Sequence, residues 1–204
     1  MTGVLLQIQA VPGNSKKLVL TMTEAGLDIS GVTFSWDEID RVRYGAVDRH
    51  INGGYMGTTF TIEVGNAAKK KQHFILDSGT TGPLKTRIDH ERRDRNRAEW
   101  VKAVEILEDR VCVRLATEAM TTVLQGGTTE FAGLRLDPQG VHKGGLFSKS
   151  VGWRDIAGTE AKFPYFRILA RAGDKTKKAI EIPHGGWNMV LLPRVIDALI
   201  PRMS

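Results

Sequence analysis

Through much of this chain apolar residues fall at every second position. Leu18, Leu20 and Met22 predict a strand with one buried face, Leu27 and Ile29 continue the alternation after a turn at Gly26, and Val32, Phe34 and Trp36 begin a third strand. Val42 and Tyr44 carry the pattern into a fourth. Past Gly53-Gly54, the β-branched run Thr58 to Val64 and the stretch His73 to Leu76 predict two more. The period then changes. From Leu84 to Gln125 there is neither Gly nor Pro, and Trp100, Val104, Leu107, Val111 and Leu115 recur at helical spacing. That spacing predicts one long amphipathic helix over about Asn96 to Gln125, with Asn96 capping its start and Gly126-Gly127 ending it.

Beyond Gly127 the alternation returns. Strands are predicted at Thr129–Leu136, Val141–Lys143, Lys149–Trp153, Gly158–Phe163, Phe166–Ala172 and Ala179–Ile182, followed by a helix from about Trp187 or Asn188 to Ile200. Pro193 lacks a backbone donor, so a kink or a fresh start is expected there. The second stretch also repeats the grammar of the first. Met22-Thr23-Glu24-Ala25-Gly26-Leu27 matches Leu136-Asp137-Pro138-Gln139-Gly140-Val141 without gaps, and Trp36-Asp37-Glu38-Ile39 matches Trp153-Arg154-Asp155-Ile156 once a longer loop is allowed for. Trp100 and Trp187 read as a third landmark, each opening a helical segment. The chain therefore reads as a β-rich α+β protein made of a duplicated unit, with residues 1–125 as the first domain and 126–204 as the second.

Antiparallel strands in meander order closed by a C-terminal helix, with a Trp-x-acidic-Ile strand ending in each half, resemble the pleckstrin-homology (PH) superfold and its bacterial and GRAM-like relatives. The resemblance implies two PH-like domains in tandem, each a bent antiparallel sheet or barrel closed by its helix. It also implies a binding scaffold, because members of this superfold usually bind lipids, peptides or other domains. Fold alone does not choose among those ligands. Lipid-binding members carry a basic pattern around the first hairpin loop. Here the matching loops, Thr23 to Gly26 and Asp137 to Gly140, each hold an acidic residue and no Lys or Arg.

Charge sharpens the alternatives. The net charge is +6, and residues 126–204 carry most of the excess, with twelve Lys and Arg against seven Asp and Glu. Lys143, Lys149, Lys177 and Lys178 are the residues through which this basic half would hold anionic lipid, and an exposed apolar tip beside them would favour that reading. Lys69 to Lys71 and Lys175 to Lys178 read as solvated hairpin tips. No apolar run approaches the ~20 residues of a membrane span. The single cysteine, Cys112, suits a reducing cytoplasm, and five scattered histidines give a metal site little support. The expectation is a cytoplasmic chain, peripheral at the membrane if lipid is bound, with no metal or cofactor.

Enzyme motifs are sparse. Phe74-Ile75-Leu76-Asp77-Ser78-Gly79-Thr80-Thr81 has the form of an aspartic-protease loop, but that reaction needs two aspartates in contact, so Asp77 would have to meet its twin across a dimer. His90-Glu91, Ser148 and Ser150 show no triad spacing, a phosphate-binding glycine loop is absent, and aromatics at 7% give nucleic acid little to stack on. The sequence reading is a non-enzymatic interaction module that binds a protein or peptide partner, with homo-oligomers allowed. The glycine-flanked loop from His50 to Gly57, holding Ile51, Tyr55 and Met56, is its expected contact surface.

Overall fold

The structure is a computed structural model and describes residues 3–10, 18–68, 70–77, 90–145 and 148–203. It divides into two compact units, Met1–Val111 and Cys112–Ser204. The strands form four antiparallel sheets, with no closed barrel among the described residues.

In the first unit β1 (Val4–Ala10), β2 (Leu18–Thr23), β3 (Gly26–Ile29) and β4 (Val32–Ser35) pair in sequence order. A single 3-10 turn, Trp36–Glu38, leads into β5 (Arg41–Ile51), β6 (Gly54–Gly65) and β7 (Lys71–Asp77), which form a second sheet, also in order. Strand β1 adds an element that the alternation reading did not identify. The second unit repeats the plan with β8 (Thr129–Phe131), β9 (Leu134–Asp137), β10 (Gly140–Lys143) and β11 (Lys149–Gly152), a 3-10 turn at Trp153–Asp155, and a sheet of β12 (Ile156–Lys162), β13 (Tyr165–Ala172) and β14 (Lys175–Pro183). The run read as one strand over Thr129–Leu136 is thus two, because Ala132 and Gly133 take positive φ angles of 51° and 78° and turn the chain.

The backbone is already helical at His90, ahead of Asn96. Helix α1 (His90–Leu107) passes through a π-helical turn, Glu108–Cys112, into α2 (Val113–Leu124). Asn96 is a buried residue within α1, so it does not cap the helix; the preceding Glu- and Arg-rich turn is itself a good helix former. The extra residue of the π turn shifts the buried stripe. Ala103 and Leu107 lie before it, Val111 and Cys112 are both buried within it, and Leu115, Ala116, Ala119 and Val123 follow. The helix stops at Gly126, whose φ of 88° admits glycine readily, as expected. Trp187 opens no helix. It precedes a 3-10 turn at Met189–Leu191, and α3 (Leu192–Met203) starts afresh with Pro193 in its first turn, where the missing donor costs nothing.

Each unit has its own core. In the first, Ile8, Leu20, Met22, Leu27, Ile29 and Phe34 from one sheet and Phe60, Ile62, Val64 and Phe74 from the other are buried, and Trp100 of α1 packs on Phe60 and Tyr44. In the second, Leu134, Leu136 and Val141 of one sheet and Phe166, Ile168 and Ile180 of the other are buried, as are Leu192, Val195, Ile196 and Leu199 of α3. The repeated motif sits where the first sheet of each unit ends. Trp36 Nε1 donates to the Thr23 carbonyl at 3.1 Å, and Trp153 Nε1 donates to the Asp137 carbonyl at 2.8 Å. Ile39 and Ile156, closing the two motifs, are fully buried.

Candidate functional site

Among the described residues strand β1 is the edge of its sheet and pairs with β2 alone, so half of its backbone groups face away from a described partner strand. Its N-terminal end bulges at Leu5: Val4 pairs with Thr23 and Leu6 with Met22. Beside it runs the exposed flank of α1. Leu5 and Leu6 with Lys102, Glu105, Ile106, Asp109 and Arg110 line an open cleft of about 460 Å³. Leu5, at 39% exposure, presents a large apolar side chain to water in this cleft, and its chain neighbour Val4 is exposed at 64%. Arg110 is held in place by Glu24 of the β2–β3 turn at 2.8 Å and by Asp109 at 3.4 Å. An apolar floor, an edge strand and charged rims of both signs suit an extended peptide added as a further strand.

The expected contact loop from His50 to Gly57 is a β-hairpin. Strands β5 and β6 continue past the sheet to a two-residue turn at Asn52-Gly53, with φ of 50° and 78°. Ile51 stands exposed beside the turn, and Val47 is exposed lower on the same strand. Tyr55 is half-buried: its ring meets His50 edge-on at 5.7 Å, and its hydroxyl lies 2.5 Å from Thr58 Oγ1, which donates to Asp48 at 2.7 Å. Met56 occupies a bulge between the Arg49–Gly57 and His50–Tyr55 pairs. The three residues therefore share one tip, braced by polar contacts.

The four lysines of the second unit do not form one free cluster. Lys143 donates to the Glu181 carbonyl at 2.7 Å, and Lys178 pairs with the Glu181 carboxylate at 3.1 Å, which Arg167 also holds at 2.8 Å. Hydrogen bonds from Arg167 and Lys178 set the Glu181 carboxyl below its ordinary range. Lys149 and Lys177 are exposed. The exposed apolar tip of this unit, Phe163 at 75%, lies at the β12–β13 turn. Lys177 and Lys178 pair with Ala170 and Leu169, toward the other end of those strands. Lys70 is likewise no solvated tip: it contacts the Thr33 carbonyl and Glu38, and sits 4.2 Å over the Phe34 ring. Lys69 lies outside the described residues.

A further group comes together only in three dimensions. His142 on β10 pairs directly with Ser150 on β11, and its ring nitrogens lie 2.9 Å from Ser150 Oγ (Nδ1) and 2.9 Å from Asp137 Oδ1 (Nε2). Asp137 also accepts from the backbone N–H groups of Gln139 at 2.9 Å and Gly140 at 3.2 Å, and Arg135 pairs with its other oxygen at 3.3 Å. Burial pushes this carboxyl up, but the bonds from His142 and from the two backbone donors outweigh it and hold it below the usual carboxylate range. Motif spacing does not reveal this trio. The signal that does is strand register: with Val141–Lys143 and Lys149–Trp153 read as the arms of one hairpin, His142 and Ser150 fall opposite each other.

Asp77 ends β7 and accepts from Arg49 at 2.6 Å; the rest of its protease-like motif, from Ser78 onward, lies outside the described residues. Among the described residues no group of three or more His, Cys, Asp and Glu is placed to hold a metal ion, and no helix is long and apolar enough to cross a membrane. No family model matches this chain, and no match was found among curated proteins or solved structures.

Proposed function

We propose that this protein is an interaction module with tandem PH-like domains, and that it takes an extended segment of a protein partner into the cleft between β1 and α1. The repeated order of a four-stranded sheet, a tryptophan turn, a three-stranded sheet and a helix supports the PH-like reading. The observation that carries the binding reading is the exposure of Val4 and Leu5 on a strand edge that has no partner among the described residues, with Leu5 and Leu6 lining the cleft. Strand addition draws affinity from backbone hydrogen bonds and specificity from side-chain pockets, and this cleft offers an edge for the first and an apolar floor for the second. The hairpin tip at Ile51, Tyr55 and Met56 is a second contact surface on the same unit. Anionic lipid is the weaker reading, since Lys143 and Lys178 already serve Glu181.

The test is an amide-shift titration of the full chain with a library of extended apolar decapeptides. Binders should shift the amides of Val4 to Ala10 and of Val101 to Arg110 together, and Leu5→Glu should weaken them by roughly tenfold or more, as a charge enters an apolar contact. Binders that shift other regions, or that tolerate Leu5→Glu, would remove the cleft from consideration. Sedimentation with anionic vesicles at physiological salt would, if positive, move the assignment to the lysines of the second unit.

A further inference from the structure

The trio in the second unit has the wiring of a hydrolytic relay, and we propose that Ser150 is a His142-activated nucleophile that accepts acyl groups from carboxylic esters. An ionised carboxylate only accepts hydrogen bonds, so Asp137 Oδ1 holds the proton on His142 Nε2. That tautomer leaves Nδ1 as the acceptor facing Ser150 Oγ at 2.9 Å. A serine hydroxyl with an imidazole acceptor in reach, and a third group orienting the imidazole, is the arrangement that activates a nucleophile, recognised by geometry and not by chain order. The two ring nitrogens exchange their usual roles here. Either nitrogen can serve as base once the other carries the proton.

Access agrees with the chemistry. Ser150 is exposed, His142 has one fifth of its side chain exposed, and the Asp137 side chain is only 10% exposed. The nucleophile meets solvent while the orienting carboxylate is sheltered. Asp137 is also fixed from behind, because its side chain closes the turn to Gly140 and its carbonyl takes the Trp153 indole. The carboxylate therefore comes preorganised by the tryptophan motif that holds the sheet end.

In the step, Ser150 Oγ bonds to the ester carbonyl carbon as its proton passes to His142 Nδ1, and the carbonyl π pair moves onto oxygen. The tetrahedral adduct then expels the alkoxide, which takes the proton from Nδ1 and leaves as the alcohol. Water attacks the resulting acyl-serine by the same route, releasing the carboxylic acid and restoring the hydroxyl. Ser150 and His142 are the reacting groups, and Asp137 is a positioning residue.

The experiment incubates the full-length protein with p-nitrophenyl acetate, follows p-nitrophenolate release, and maps the acetyl group by peptide mass spectrometry. A parallel sample is labelled with a fluorophosphonate probe. The expected result is acetylation and phosphonylation at Ser150, both absent in Ser150→Ala. His142→Gln should slow both by roughly a hundredfold, the lower end of what a positioned general base supplies. Circular dichroism should show both variants folded; their side chains lie on the solvent face of the sheet. The proposal is overturned if the acetyl group maps to lysines alone, if the probe leaves Ser150 unlabelled, or if His142→Gln labels at the parent rate.

Discussion

The two four-stranded sheets share a strand order and a tryptophan-capped end and differ on their outer faces. In both, the residue before the β-turn closes that turn with its side chain and gives its carbonyl to a tryptophan indole: Thr23 to Trp36 in one, Asp137 to Trp153 in the other. In both, a glycine two residues beyond the turn's corner lies against the facing strand, where a Cβ would meet the Phe34 carbonyl at 2.0 Å or the Val151 carbonyl at 2.1 Å. The outward positions have diverged. Thr21, Asp28 and Thr33 stand in the first unit where register places Arg135, His142 and Ser150 in the second. Asp28 accepts from Thr33 at 3.1 Å and from the Gly31 N–H at 2.9 Å, which completes a local turn and puts a carboxylate, not an imidazole oriented by a third group, beside the hydroxyl. Burial constrains the strand ends in both units, whereas their solvent faces differ, and the proposed relay lies on that of the second.

The sharpest way to break this correspondence is to remove the tryptophans. Both are buried, Trp36 at 7% and Trp153 at 2% exposure, and each loses a cavity's worth of packing and an indole hydrogen bond on truncation. Trp36→Ala and Trp153→Ala should each cost about 4 kcal/mol, as large core truncations do. Denaturant unfolding checks this, and a loss under about 1 kcal/mol in either would mean that the motif is not the shared keystone.

Next in size come the glycines. Gly26→Ala and Gly140→Ala press a methyl group into a backbone carbonyl that cannot step aside without opening the ladder, so each should cost about 3 kcal/mol. Gly140 also has a φ of 152°, and its variant should be the worse of the two. Equal stability of variant and parent would show that the close approach relaxes freely and has no part in defining the repeat.

The parts of this architecture that the sequence reveals are those with a period or a local signature. Val32, Phe34 and Trp36, or Phe166 to Ala172, announce strands because their buried side chains alternate, and Gly126 announces a helix stop because glycine tolerates its left-handed backbone. Strand β1 carries the same signal in part: Leu6, Ile8 and Ala10 turn inward between exposed Gln7 and Gln9, and only the exposed apolar pair Val4 and Leu5 at its start blurs the alternation. The turn of α1 from His90 to Arg95 is harder to read, since it is polar throughout and helical propensity is its main signal. Of the candidate site, the glycine-flanked hairpin is legible, but not the ion pairs that tie Lys143 and Lys178 to Glu181. The relay is least legible, because it depends on a cross-strand pairing between His142 and Ser150 that no linear spacing encodes.

The smallest expected effect separates the two turns most finely. Thr23 closes its turn with two neutral hydrogen bonds, accepting from the Ala25 N–H at 3.3 Å and donating to the Gly26 carbonyl at 3.1 Å, whereas the Asp137 carboxylate accepts from two backbone donors and from His142. Thr23→Ala should cost about 0.5 kcal/mol and Asp137→Ala about 2 kcal/mol, the difference between a neutral and a charge-assisted cap. The two turns should also respond differently to acid. The Asp137 carboxyl is held below its ordinary range, so its contribution is fully present above the pH where an unfolded aspartate titrates, about 3.9, and is lost as the pH falls through the lower folded value. His142 Nε2 donates to the carboxylate in either protonation state of the ring, so the loss follows protonation of Asp137 itself. Amide exchange at Gln139 and Gly140 should therefore quicken with acid relative to the intrinsic rate, while Ala25, capped by a hydroxyl that does not titrate, keeps its protection. Asp137→Asn should flatten the difference, because its amide oxygen still accepts from the turn but carries no proton to gain. If Ala25 and Gln139 lose protection in parallel, the relay carboxylate contributes nothing of its own, and the two turns are equivalent in energy as well as in form.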